Sequence, residues 1–230
     1  MFEEELFRLL SMLEGLGLWP SVVAWLVVAG GCAIMTVVLR HERSNRVWVP
    51  AAIVGTLALA ANLTDYFVTL ALSPDLASEA NPLWRNVAAG WGLRVAKWYG
   101  LTGKILVSCL AAQMFAFFLA NLPRLYPSRA DSLGEFLRRM GDRSKTRRDR
   151  VLALFTLFAF FFSGIQLLYF YIAFLNWLDG ALLLDRLPSV PSAILLLLLA
   201  ISAAFALVSY RAFLRAASSG KPLHARRSNR

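Results

Sequence analysis

Histidine and cysteine are scarce in this 230-residue chain, which has two of each. Cys32 and Cys109 form no CxxC pair, so neither a zinc nor an iron–sulfur pattern is present. Both lie in apolar runs and read as small side chains in packed helices. His41 and His224 lie in basic flanks outside any apolar run. That excludes a haem held by two intramembrane histidines of this chain alone. Basic residues are sparse at the start, where MFEEELFRLL carries Glu3, Glu4 and Glu5 in place of a signal peptide's lysines or arginines. No small-residue cleavage site follows, so residues 1–18 are expected to form an uncleaved interfacial helix. Charge is low overall, at 17% of residues against 58% hydrophobic.

The hydrophobic residues sit in long uninterrupted runs, and the mean hydropathy is +0.58. One soluble core could not bury this much apolar sequence, whereas lipid solvates it directly. A barrel would show short alternating segments, and continuous apolar runs instead require helices that satisfy their own backbone. The predicted fold is therefore an all-α integral membrane bundle of about five transmembrane helices. Spans are expected near 20–39, 47–72, 95–121, 151–175 and 192–210. The hydrophobic stretch from Pro82 to Leu122 would be about 60 Å long as one helix, twice the hydrocarbon thickness. A break near Gly90–Gly92 divides it into a short outer helix and a span. The resulting organisation is an N-terminal segment (1–18), spans one to three (19–122), a basic loop (123–150), spans four and five (151–210) and a basic tail (211–230).

Lysine and arginine are distributed unevenly about these spans. Segment 40–46 holds three, 123–150 holds nine and 211–230 holds six, which is 18 of 24 on one face. The other face has Arg8, Arg85 and Arg186. The asymmetry predicts a bacterial cytoplasmic (inner) membrane protein with the N-terminus outside and the C-terminus cytoplasmic. It also accounts for the +10 net charge without nucleic acid, for which no basic-aromatic stacking platform is present. In the basic loop, Ser132 and Glu135 match a capping box. Leu133, Phe136, Leu137 and Met140 follow at helical spacing, opposite Arg138, Arg139 and Arg143. This predicts a short amphipathic helix on anionic lipid head groups, with docking to a cytoplasmic partner as the alternative.

Charges at membrane depth are costly and face the bundle interior or one another. Asp65 lies about 10 Å and Lys104 about 9 Å from the outer ends of consecutive antiparallel spans, so the two can pair. Asn62, Asp65, Tyr66 and Thr69 form one helical stripe. Downstream, Asn81-Pro82 reads as a cap and first helical residue, with Glu79 just before them and Arg85 just after. Three readings of this cluster stay open. It can lock two helices together, as in a non-catalytic accessory or assembly subunit. It can bind or transport an ion or small solute through Asn62, Asp65, Thr69, Glu79, Asn81, Arg85 and Lys104. It can serve an intramembrane enzyme, although no catalytic residue is assigned and the balance leans against one. No cofactor is expected. A hard cation such as a proton, sodium or magnesium would find its oxygen donors in Asp65 and Glu79. A chain this small that transports a solute would be expected to form a homo-oligomer or join a larger membrane complex.

The motif Asn62-Leu63-Thr64-Asp65-Tyr66-Phe67-Val68-Thr69, then Glu79-Ala80-Asn81-Pro82 and Lys104, resembles a prokaryotic multi-pass membrane family, domain of unknown function 5658. The resemblance covers about residues 47–121, and implies that these side chains act as a unit without bringing an activity with it. Other motifs are weaker. Asn176-Trp177-Leu178-Asp179-Gly180 is like one motif of intramembrane zinc proteases, but His41-Glu42-Arg43-Ser44-Asn45 lacks their second histidine and falls on the opposite side. Ser163-Gly164 has no intramembrane histidine to activate it as a rhomboid-type serine. Gln166 and Tyr169 are expected to hydrogen-bond to neighbouring helices.

Overall fold

The computed structural model describes residues 17–76, 81–127, 129–140, 146–177 and 190–218. These residues are helical, with no strand among them. The elements are α1 (Trp19–Leu39), α2 (Asn45–Leu72), α3 (Pro82–Trp91), α4 (Leu93–Asn121), a 3-10 turn (Leu122–Leu125), α5 (Leu133–Arg139), α6 (Arg147–Ile165), α7 (Leu168–Trp177) and α8 (Val190–Ser218). Five stretches are long and apolar enough to cross a membrane: Trp19–Leu39, Asn45–Leu72, Leu93–Leu125, Arg147–Leu175 and Ile194–Ser218. This is a multi-pass membrane protein. Val27 on α1, Ile53 and Phe67 on α2, Leu154 on α6 and Leu199 on α8 stay exposed, a cost that lipid removes.

The centre of the bundle is α4, which packs on α1, α2, α3 and α6. Its closest partner is α2, and the seam between them is built from small residues. Ala51, Ala58 and Ala61 on α2 and Ala111 on α4 are fully buried. A Cβ on Gly55 would come within 2.6 Å of the Ala112 side chain. Such close backbone approach maximises van der Waals contact where no hydrophobic force drives helices together.

The long apolar stretch breaks at Gly92, where the backbone takes φ 85° and ψ 160°. This region is essentially restricted to glycine. The Gly92 N–H donates to the Ala88 carbonyl and closes α3, while its own carbonyl accepts from Ala96 and opens α4. The expected break therefore falls on the second of the two glycines. A second break divides the fourth span at Gln166–Leu167, through tight turns in which Leu167 bonds to Gly164 and Tyr169 to Gln166. The last span is eight residues longer at its C-terminus than expected, because Tyr210 and Phe213 continue the helix under α5.

Helix α5 departs from the predicted surface helix. Ser132 accepts from the Glu135 N–H at 3.2 Å, but the Glu135 carboxylate accepts from Asp131 rather than from Ser132, so the capping box is incomplete. Phe136 is fully buried against Tyr126, Tyr210 and Phe213. Burying that ring contributes about 1.5–3 kcal/mol, and with Leu133 and Met140 it holds α5 against the protein while Leu137 stays exposed. Burial also pushes the Tyr126 phenol up to about 12, so this phenol stays uncharged. A reciprocal capping box does occur one element later, between Thr146 and Asp149 at the start of α6.

Replacing Gly92 by alanine is expected to destabilise the protein by about 1–3 kcal/mol. Gly30→Ala, where an added methyl meets nothing within 4 Å, should leave stability unchanged or slightly raised. Thermal melts of the detergent-purified variants check both.

Candidate functional site

Asn62, Asp65, Tyr66 and Thr69 occupy successive turns of one face of α2, and all four are buried. Their stripe faces α4 and α7, the elements against which α2 packs most extensively. Asp65 Oδ2 accepts a hydrogen bond from Lys104 Nζ on α4. The side chains of the pair are 9% and 15% exposed, too little for water to screen the charges strongly. Lys104 Nζ also lies 4.0 Å from the centre of the Tyr169 ring on α7, a cation–π contact. Three helices thus meet on one ammonium.

Asn62 lies one turn inward of Asp65. Its amide donates to the Ala58 carbonyl at 2.9 Å and to Gln166 Oε1 at 3.4 Å. Gln166 is itself buried at the break between α6 and α7, so that break brings an amide to α2 at the level of the site.

Helix α3 covers this end of the site. Asn81 caps it by accepting from the Leu83 N–H at 3.0 Å, with Pro82 in the first helical position. Trp84 then lies between α2 and α4. Its ring stacks on Tyr66 at 5.5 Å, and its indole N–H donates to the Ala96 carbonyl at 2.5 Å. Below it, a Cβ on Gly100 would lie 2.5 Å from the ring, so only glycine leaves that face free. Leu76 joins the same cluster, with Val87 and Ala96. It does so at φ 61°, a left-handed conformation that leucine adopts at a cost.

Between these elements lies a cavity of about 160 Å³, lined by Trp25, Asn62, Asn81, Tyr99, Gly103 and Lys104 among others. Trp84 and Tyr169 contribute to the same wall. Of the residues singled out in the sequence, Asn62, Asn81 and Lys104 meet at this cavity, with Asp65 bonded to Lys104. Thr69 is one turn further out on α2, and Arg85 is half-buried on α3; neither lines the cavity. Glu79 lies outside the described residues. No three His, Cys, Asp or Glu side chains cluster as metal ligands among the described residues.

Comparisons with protein-family models, curated proteins and solved structures yield no match. The geometry of the site therefore carries the functional reading. It adds Trp25, Tyr99 and Gly103 to the residues found from sequence; Gln166, expected to bond to a neighbouring helix, accepts from Asn62, and Tyr169 meets Lys104 through its ring. A glutamine in the middle of an apolar run beside Ser163-Gly164 was the available signal for Gln166. Trp25, Tyr99 and Gly103 gave none, since such residues are ordinary in membrane helices.

Removing either member of the Asp65–Lys104 pair leaves an uncompensated buried charge. Asp65→Ala and Lys104→Ala are each expected to cost about 3–5 kcal/mol, while the double variant should be no less stable than either single one. Unfolding of the four purified proteins tests this. Additive losses would mean that the two charges are not energetically coupled.

Proposed function

We propose that this chain is a cytoplasmic-membrane protein, N-terminus outside and C-terminus inside, that binds a small solute or ion in the polar cavity beneath α3. The observation that carries the reading is Lys104. It is a charged side chain neutralised by Asp65, yet it also lines a cavity large enough for a small molecule. The orientation rests on the 18 of 24 basic residues gathered in three flanks on one side, which puts the site near the outer leaflet. Asn62, Asp65, Thr69, Glu79, Asn81, Arg85 and Lys104 form the site and its surroundings in this reading. Kinship with the prokaryotic family that shares the Asp, Glu-x-Asn-Pro and Lys pattern is part of the same proposal. Transport, if it follows binding, calls for a homo-oligomer or a larger complex around so small a bundle. A hard cation at Asp65 would compete with Lys104 for the same carboxylate, which favours a ligand that Lys104 contacts directly.

The burial of the ion pair favours a second reading, in which it only fixes α2 against α4 within an accessory subunit. Thermal stability of wild type and Asp65→Asn, measured across a panel of inorganic ions and small organic solutes, separates the two. The solute reading requires at least one class to stabilise wild type and to lose that effect in Asp65→Asn. If no solute stabilises wild type, the accessory reading stands. Orientation is tested by thiol labelling of single cysteines introduced in the tail and in the 73–85 segment. Selective labelling of the tail from outside intact cells would reverse the assignment.

A further inference from the structure

The hydrogen-bonding account of the cavity wall narrows its ligand. Three aromatic donors there are already spent: Trp25 Nε1 donates to Thr102 Oγ1 at 3.3 Å, Trp84 Nε1 to the Ala96 carbonyl, and the Tyr99 hydroxyl to the Ser21 carbonyl at 2.9 Å. Asn62 has committed its amide donors to Ala58 and Gln166. Lys104 differs, because an ammonium has three N–H donors. One is given to Asp65 and the ring of Tyr169 takes another side of the group. A donor remains for an acceptor in the cavity, and a charge-assisted bond to an anionic group is the strongest use of it.

A simple anion does not fit this arrangement well. Lys104 and Asp65 are neutral together, so an added anion would leave one negative charge uncompensated among apolar helices. A simple cation meets Lys104 itself. A ligand carrying both charges adds no net charge. Its positive end would find the aromatic rings of Trp25 and Tyr99, which line the cavity, while the Tyr169 ring is already engaged by Lys104. The wall's side-chain acceptors are the amide oxygens of Asn62 and Asn81 and the hydroxyls of Tyr99 and Tyr169; a quaternary ammonium uses the rings and needs none of these acceptors.

Gly103 borders open space, as Gly30 does on α1. Glycine within a helix costs about 1 kcal/mol relative to alanine, and Gly55, Gly100 and Gly164 each have a neighbour that a Cβ would strike. Gly103 lines the cavity with nothing within 4 Å of the added atom.

Resting on the solute-site reading, we propose that the cavity binds a small zwitterion, with its anionic group on Lys104 and a quaternary ammonium against the aromatic wall. This chemistry is that of a free methylated amino acid or of a phosphocholine lipid headgroup.

Thermal stability of the full chain in a maltoside detergent tests the proposal. The probes are glycine betaine, its half-ligands acetate and tetramethylammonium, and a short-chain phosphatidylcholine. Betaine, the phosphatidylcholine or both should raise Tm saturably, and the half-ligands should bind on the order of a hundredfold more weakly. Stabilisation by betaine alone identifies a free solute, and by the lipid alone a headgroup. Gly103→Leu fills the cavity while leaving both members of the ion pair in place and should abolish the shift, while Gly30→Ala keeps it. A shift that survives Gly103→Leu, or the lack of one with either zwitterion, overturns the proposal. Acetate matching betaine would also overturn it, while leaving a solute site in place. A null result with every probe and with the wider solute panel would remove both readings.

Discussion

Lys104 carries a formal charge into α4, the most enclosed of the five long helices, and Asp65 is the group that neutralises it. An ammonium in hydrocarbon without that partner would cost several kcal/mol. The architecture of this half of the bundle follows from keeping the two in contact. The backbones of α2 and α4 must approach closely, which the Gly55–Ala112 contact and the buried alanines allow. The fourth span must present an aromatic face to the same ammonium, which Tyr169 does from α7. The break at Gln166 releases α7 from the register of α6 and brings a glutamine to Asn62. Polar groups on three helices are thereby satisfied by one another.

The opposite half of the bundle obeys a simpler rule. Phe118, Phe160 and Phe205 pack ring on ring between α4, α6 and α8, and Tyr126, Phe136, Tyr210 and Phe213 continue the cluster under α5. No charge is buried there among the described residues, and size and shape of side chains set the contacts. One end of the molecule is thus held by polar complementarity and the other by apolar packing, with α4 common to both.

Much of this was legible in the sequence because lipid imposes a strong pattern. Helix number and the break near Gly92 follow from hydropathy, length and the conformational freedom of glycine. Asp65 and Lys104 stood out because charge is rare at that depth, and Asn81-Pro82 because capping chemistry is local. The cavity was not legible. Its wall is made of Trp25, Tyr99, Gly103 and Tyr169, residues whose meaning depends on which neighbours three-dimensional packing gives them. Gly100 and Gly103 look alike in sequence, yet one lies under an indole ring and the other faces open space. The fate of α5 was hidden for the same reason, since an amphipathic pattern states that an apolar face is to be covered without naming the cover.

Whether the ion pair serves only to hold helices together is then a question of what a lock requires. A buried salt bridge is a poor stabiliser compared with well-packed apolar residues of similar volume, and the small-residue seam between α2 and α4 already provides close packing. A lock would also gain from being sealed, because a void along its wall forfeits dispersion contacts. Here the cationic member borders a cavity, and the helix that carries it has a glycine one residue earlier whose side-chain space stays empty. Pair, void and glycine together cost more than a structural seam needs. That excess is accounted for if the space is there for a ligand, and the neutrality of the pair then favours one that adds no net charge.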